Sequence, residues 1–151
     1  MGEKSLPVFT GTFLHTLDKK GRISIPARYR DVLHQRQDRS VLLTNFDGYI
    51  LAFPQSEWLR VTEELNKQPT FDKEMRRFIR FLNARAEECP LDRMGRILIP
   101  PNLRKYAGLE RDVCIVGTGR TFEIWNPQAY EEHDKQLEES IGEEVYRKLP
   151  V

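Results

Sequence analysis

Leu17-Asp18-Lys19-Lys20-Gly21-Arg22-Ile23-Ser24-Ile25-Pro26 returns 74 positions later as Leu91-Asp92-Arg93-Met94-Gly95-Arg96-Ile97-Leu98-Ile99-Pro100, with seven of the ten residues identical. Self-similarity of this length marks a duplicated structural unit. Within each copy the alternating isoleucines have the two-residue period of a strand buried on one face. Asp18 and Gly21 supply turn chemistry: glycine reaches positive φ, and the carboxylate can accept a backbone N–H inside the turn. Residues 10–17 alternate with the same period, which predicts a hairpin whose second strand is residues 22–26. Pro26 then suits the first turn of a short helix carrying Tyr29, Val32 and Leu33.

Outward from this stretch, each half repeats the same order. Val41-Leu42-Leu43 and Tyr49-Ile50-Leu51-Ala52-Phe53 flank Asn45-Phe46-Asp47-Gly48, and Asp-Gly is a strong hairpin signal. Ser56 is placed to cap a following helix with Trp58, Val61 and Leu65 on one face. In the second half, Gly108 is placed to end a short helix after Pro100, and Gly117-Thr118-Gly119-Arg120 separates two further strands. Asn126-Pro127 reads as a cap and first position for a last helix, with Tyr130, Leu137 and Ile141 inward. Between the halves, residues 72–88 read as a linking helix with Met75, Phe78, Ile79 and Leu82 as its buried stripe and its arginines mostly outward.

With 39% hydrophobic and 31% charged residues the chain has a folded, soluble composition. A half of about 74 residues would bury only roughly 60% of its unfolded surface, so the halves are expected to complete one another's core. No apolar run approaches the ~20 residues of a membrane span and there is no signal-peptide pattern, which predicts a cytosolic protein without membrane attachment. Cys89 and Cys114 lack metal-ligand spacing and read as buried reduced thiols. His15, His34 and His133 are scattered, so neither metal nor cofactor is expected.

Net charge is only +1, but the charge is unevenly spread. Lys19, Lys20, Arg22, Arg28, Arg30, Arg36 and Arg39 face only Asp31 and Asp38 in residues 19–39, whereas residues 131–144 hold seven acids and one lysine. One region suits an anion; the other repels it. A hairpin tip presents its side chains away from the sheet, and the arginine after each glycine offers a planar fork for phosphate or for guanine O6 and N7. Lys19, Lys20 and Arg93 add charge suited to phosphate. The other reading is that Asp18 pairs with Arg22, and Asp92 with Arg96, across each tight turn. The two aspartates lie in turns without a neighbouring nucleophile, so no enzymatic activity and no small-molecule substrate are expected.

The doubled Asp-x-x-Gly-Arg-Ile-x-Ile-Pro pattern, Ala27-Arg28-Tyr29-Arg30 after the first copy, Ala107-Gly108-Leu109 after the second and Phe122-Glu123-Ile124-Trp125 closely resemble the MraZ family of bacterial transcriptional regulators. The resemblance covers residues 9–141. It implies a mixed α+β fold of two tandem AbrB-like (swapped-hairpin β-barrel) repeats with short flanking helices and a pseudo-two-fold: a first module at 9–66, the linking helix at 72–88 and a second module at 89–141. It further implies sequence-specific binding to double-stranded DNA at tandem repeats upstream of the protein's own cell-division and cell-wall gene cluster, usually with repression. Ring-like homo-oligomers and a cytoplasmic, nucleoid-associated location come with it. The DNA-contacting arginine of the motif is here Arg22, with Arg96 as counterpart, and Lys19, Lys20, Arg93 and Arg28 as neighbouring candidates. Met94 replaces Lys20 in the second copy, so the first turn is the more basic. AbrB-like modules also occur in antitoxins, where a tail occupies a partner enzyme; the acidic stretch after Ile141 offers little for that use.

Overall fold

The computed structural model describes residues 7–151. The first half contributes β1 (Thr12–Thr16), β2 (Arg22–Ser24), α1 (Ala27–Gln35), β3 (Ser40–Phe46), β4 (Tyr49–Pro54) and α2 (Gln55–Asn66). The linking helix is α3 (Lys73–Ala84). The second half contributes β5 (Glu87–Pro90), β6 (Arg96–Leu98), α4 (Pro101–Tyr106), β7 (Asp112–Gly117), β8 (Phe122–Trp125) and α5 (Pro127–Ser140), and α6 (Glu143–Tyr146) follows.

The strands of the two halves interleave. A six-stranded sheet runs β1-β7-β8-β4-β3-β5, and β2 pairs with β6 in a separate ribbon. Every ladder is antiparallel. An approximate two-fold passes between β4 and β8, where Ile50 faces Ile124, and through the Ile23–Ile97 pair at the centre of the ribbon. The predicted partnership of residues 10–17 with residues 22–26 is therefore corrected. The turn between them closes as expected, but β1 pairs with β7 and β2 with β6. Alternation reveals that a segment is a strand; it carries no information about which strand lies beside it.

One core serves both halves. Ile23, Ile25, Ile97 and Ile99 are buried together with Tyr29, Val32, Leu33, Leu103, Ile115 and Phe122. Phe9, Tyr29 and Phe122 meet at centroid distances of 5.0–5.1 Å in edge-on and tilted geometries, and the Tyr29 hydroxyl donates to the Gly11 carbonyl at 3.0 Å. Cys89 and Cys114 are buried free thiols, and burial pushes the Cys89 thiol up to about 12.

The β3–β4 hairpin turns on Asp47 (φ 47°) and Gly48 (φ 88°), both in the left-handed conformation that a two-residue turn of this type needs. Gly108 (φ 64°) follows α4, and the Asn126 side chain accepts from the Gln128 and Ala129 N–H groups at 2.9 and 3.1 Å to cap α5. Ser56 does not cap α2. It lies inside the helix, and the cap comes from Asp38, whose carboxylate accepts from the Ser56 N–H (2.9 Å) and Oγ (2.7 Å).

The linking helix ends at Ala84 rather than at residue 88, because Glu87–Pro90 is drawn into a strand against residues 40–43. Only Leu82 of its apolar stripe is buried; Met75 and Ile79 are partly covered and Phe78 is exposed. Trp58, Val61 and Leu65 of α2 are likewise half-covered, and Leu137 of α5 is exposed. Among the described residues, Phe46 and Phe53 reach Phe78 and Trp58, and these helix faces are otherwise only partly buried. Among the described residues no helix is long and apolar enough to cross a membrane.

Candidate nucleic-acid interface

Both repeated turns have the same construction. Asp18 Oδ1 accepts from the N–H groups of Lys20 and Arg22, each at 2.9 Å, and Oδ2 accepts from Arg22 Nε at 2.6 Å. Asp92 does the same with Met94 N–H, Arg96 N–H and Arg96 Nε, all at 2.9 Å. The backbone closes each loop: Gly21 N–H donates to the Asp18 carbonyl and Gly95 N–H to the Asp92 carbonyl, both at 3.0 Å. The Arg22 backbone N–H holds the Asp18 carboxyl down at about 2, helped by the Arg22 guanidinium and the Lys20 N–H and opposed by partial desolvation. Asp92 is lowered in the same way, first of all by the Arg96 N–H.

The two alternatives left by the sequence thus coexist. Each arginine is paired with its aspartate, but the pairing uses Nε. The side chains remain 32% exposed at Arg22 and 26% at Arg96, so neither is packed out of reach. Water screens a pair this accessible, so it adds little to stability. Its more useful effect is geometric, since an arginine held at Nε has lost much of its rotational freedom.

The ribbon sets the spacing. Arg22 lies opposite Leu98 and Ser24 opposite Arg96, while Ile23 and Ile97 face the core. By strand alternation, Arg22 and Arg96 stand diagonally on the same outward face, two residues apart along the ribbon, roughly 7 Å. The ends are locked reciprocally: Ile25 N–H donates to the Gly95 carbonyl (2.9 Å) and Ile99 N–H to the Gly21 carbonyl (3.0 Å).

Lys19, Lys20 and Arg22 meet at the first turn, and Arg93 and Arg96 at the second, where Met94 is 66% exposed. Arg28 is directed elsewhere, with its guanidinium 5.5 Å from the Phe13 ring centroid. Sequence reasoning passed over Arg104 and Arg111. With Leu17, Asp18, Lys19 and Glu110 they line a cleft of about 560 Å³ beside the first turn. The signal was available, because Arg104 stands 74 positions after Arg30, in register with the repeat. A further cleft, lined by Asp47, Tyr49, Glu123, Trp125 and His133, has the opposite charge character. Among the described residues no cluster of metal-ligating side chains is present.

Two copies of an α+β unit, interleaved about an approximate two-fold and each presenting a basic turn of one construction, define an internally duplicated protein. The chain belongs to the MraZ family. The family model described as "MraZ protein, putative antitoxin-like" matches residues 8–81 and again 82–149. Among similar proteins, the "Transcriptional regulator MraZ" of Thioalkalivibrio sulfidiphilus is 44% identical over 82% of this chain and 83% of its own length. Proteins of the same name from Pediococcus pentosaceus (39% identical, 90% of this chain, 93% of theirs) and Syntrophobacter fumaroxidans (38%, 95% and 92%) are similar over nearly the whole sequence.

Proposed function

We propose that the protein is a sequence-specific, double-stranded-DNA-binding transcription regulator, with Arg22 and Arg96 as base-reading residues and Lys19, Lys20 and Arg93 on phosphate. The observation that carries this reading is the ribbon that sets two half-exposed, pre-oriented guanidinium groups on one outward face. Relatives at 38–44% identity that bear the name of transcriptional regulators support it. Arg28 has a minor part, since its guanidinium is engaged by Phe13. The interleaved strands fit a pair of AbrB-like swapped-hairpin modules fused in one chain.

A single pair of weakly basic turns holds DNA poorly at cellular salt, because counterions compete for each phosphate contact. Several copies on an oligomer bind with avidity that rises ~10²–10⁴-fold when repeated DNA boxes match their spacing. The protein is therefore read as a homo-oligomer, ring-like, acting on tandem boxes upstream of its own cell-division and cell-wall cluster, as a repressor, at the nucleoid in the cytoplasm. The exposed Phe78 and Phe81 of α3 and Leu59 of α2 supply apolar surface for the subunit contact.

Fluorescence anisotropy with DNA from upstream of the gene, a scrambled control and a salt series tests this. Arg22→Ala lowers affinity for the cognate duplex by about 1–3 kcal/mol and erodes discrimination against the control. Lys19→Ala weakens both duplexes alike and lowers the salt slope by about one. Undiminished cognate binding by a folded Arg22→Ala protein refutes the assignment. For the oligomer, light scattering after size exclusion should show a multimer that Phe78→Asp reduces to smaller species; a monomeric wild type at working concentration rules it out.

A further inference from the structure

Each turn has a visitor from the other repeat. A Cβ built on Gly21 would stand 2.7 Å from Cζ and 2.9 Å from Nη1 of Arg104, a residue of α4 in the second half. A Cβ built on Gly95 would collide with the side chain of Arg30, a residue of α1 in the first half, whose Nη1 lies 3.0 Å away. Beyond their positive φ of 88° and 72°, the glycines leave the room into which an arginine of the other repeat folds. The two arginines are themselves 74 positions apart, so the arrangement obeys the same two-fold as the turns.

Arg104 is the better anchored. Its Nε donates to the Ile99 carbonyl at 3.0 Å, and Ile99 N–H is in turn bonded to Gly21. Its Nη groups take no part in that bond, and among the described residues it lies within 4.0 Å of no carboxylate oxygen, unlike Arg22 with Asp18. The cleft it shares with Lys19 and Arg111 also holds Asp18, which Arg22 already neutralises, and Glu110. A half-buried, pre-oriented guanidinium in a cleft with cations in excess is suited to a phosphate oxygen, which it can grip with two parallel N–H groups.

We propose that Arg104 at the first turn, and Arg30 at the second, are phosphodiester-binding residues that complete each turn from the opposite repeat. The base-reading arginine of a turn and the phosphate clamp that fixes its distance from the groove then come from different halves of the chain. This rests on the DNA-binding reading above and names contacts that reading does not include.

The test is anisotropy across a salt series with wild type, Arg104→Gln and Arg30→Gln on cognate and scrambled duplexes, each variant's fold checked by thermal melting. Each loss of a phosphate contact should flatten the slope of log affinity against log salt by about 0.9, equally on both duplexes, with the ratio between them kept. Arg104→Lys, which keeps the charge, should keep most of the slope. A folded Arg104→Gln protein with wild-type slope and affinity overturns the proposal, because an arginine that only props the turn would alter melting and leave the slope alone. Should Arg104→Gln fail to fold, Arg30→Gln, at an exposed site, decides by the same criterion. Wild type that binds, with an Arg22→Ala defect but no Arg104 effect, sinks this inference alone; wild type that binds no DNA sinks both.

Discussion

At the scale of single residues, Asp18 is the organiser of the first turn. It fills three donors of its own loop with one carboxylate, and those bonds hold its pKa at about 2, against an ordinary value of 3.8. Because the folded value is the lower, the charged carboxylate stabilises the fold fully above the unfolded value, and the contribution fades as pH falls toward 2. Urea unfolding of wild type and Asp18→Asn should therefore show a stability gap that is constant near neutral pH and shrinks between about pH 4 and 2. A gap that does not change with pH would remove the charged interaction from this account. The same carboxylate aims Arg22, so Asp18→Asn also loosens the group on which the proposed base reading depends.

Among the elements, the start of α2 is fixed by a partner 18 residues away in sequence. The α2 N-terminus begins after Pro54 with no cap of its own, and Asp38, 9% exposed, supplies one from the loop before β3. Replacing it with alanine leaves the Ser56 N–H unpaired and should cost about 1 kcal/mol in chemical denaturation. Ser56→Ala, which keeps the backbone bond, should cost less; the reverse order would return the cap to Ser56. The α3 helix shows the opposite situation. Its own Asp72 caps it, accepting from Met75 N–H at 3.1 Å, yet only Leu82 of its apolar stripe is fully buried. Its exposed Phe78 and Phe81 are the apolar surface to which the proposed subunit contact is assigned.

At the scale of the whole molecule, neither half owns a complete sheet. Without residues 82–149, β1 loses β7, β2 loses β6, β4 loses β8 and β3 loses β5. Strands with unpaired edges and half a core are below what a domain of this size needs. Expressed separately, residues 8–81 and 82–149 should each lack the dispersed amide spectrum of a folded monomer, and mixing them should restore it. A folded monomer of either half would show that the interleaving is dispensable. The exchange also couples stability to the site, since the ribbon presenting Arg22 and Arg96 exists only when both halves are in place.

The sequence by itself determined the duplication, the Asp-to-arginine turn, the short helix after each Pro-terminated strand, the Asp47-Gly48 hairpin and the Asn126 cap. All of these are local: a carboxylate reaching two to four residues, a glycine at positive φ, a proline with fixed φ. Only the tertiary structure decided that the repeats exchange strands, that residues 87–90 leave the helix for a sheet edge, and that Arg104 and Arg30 cross to the opposite turns. Periodicity tells a strand which face to bury and is silent on its neighbour, because that choice depends on the edges the rest of the chain leaves open.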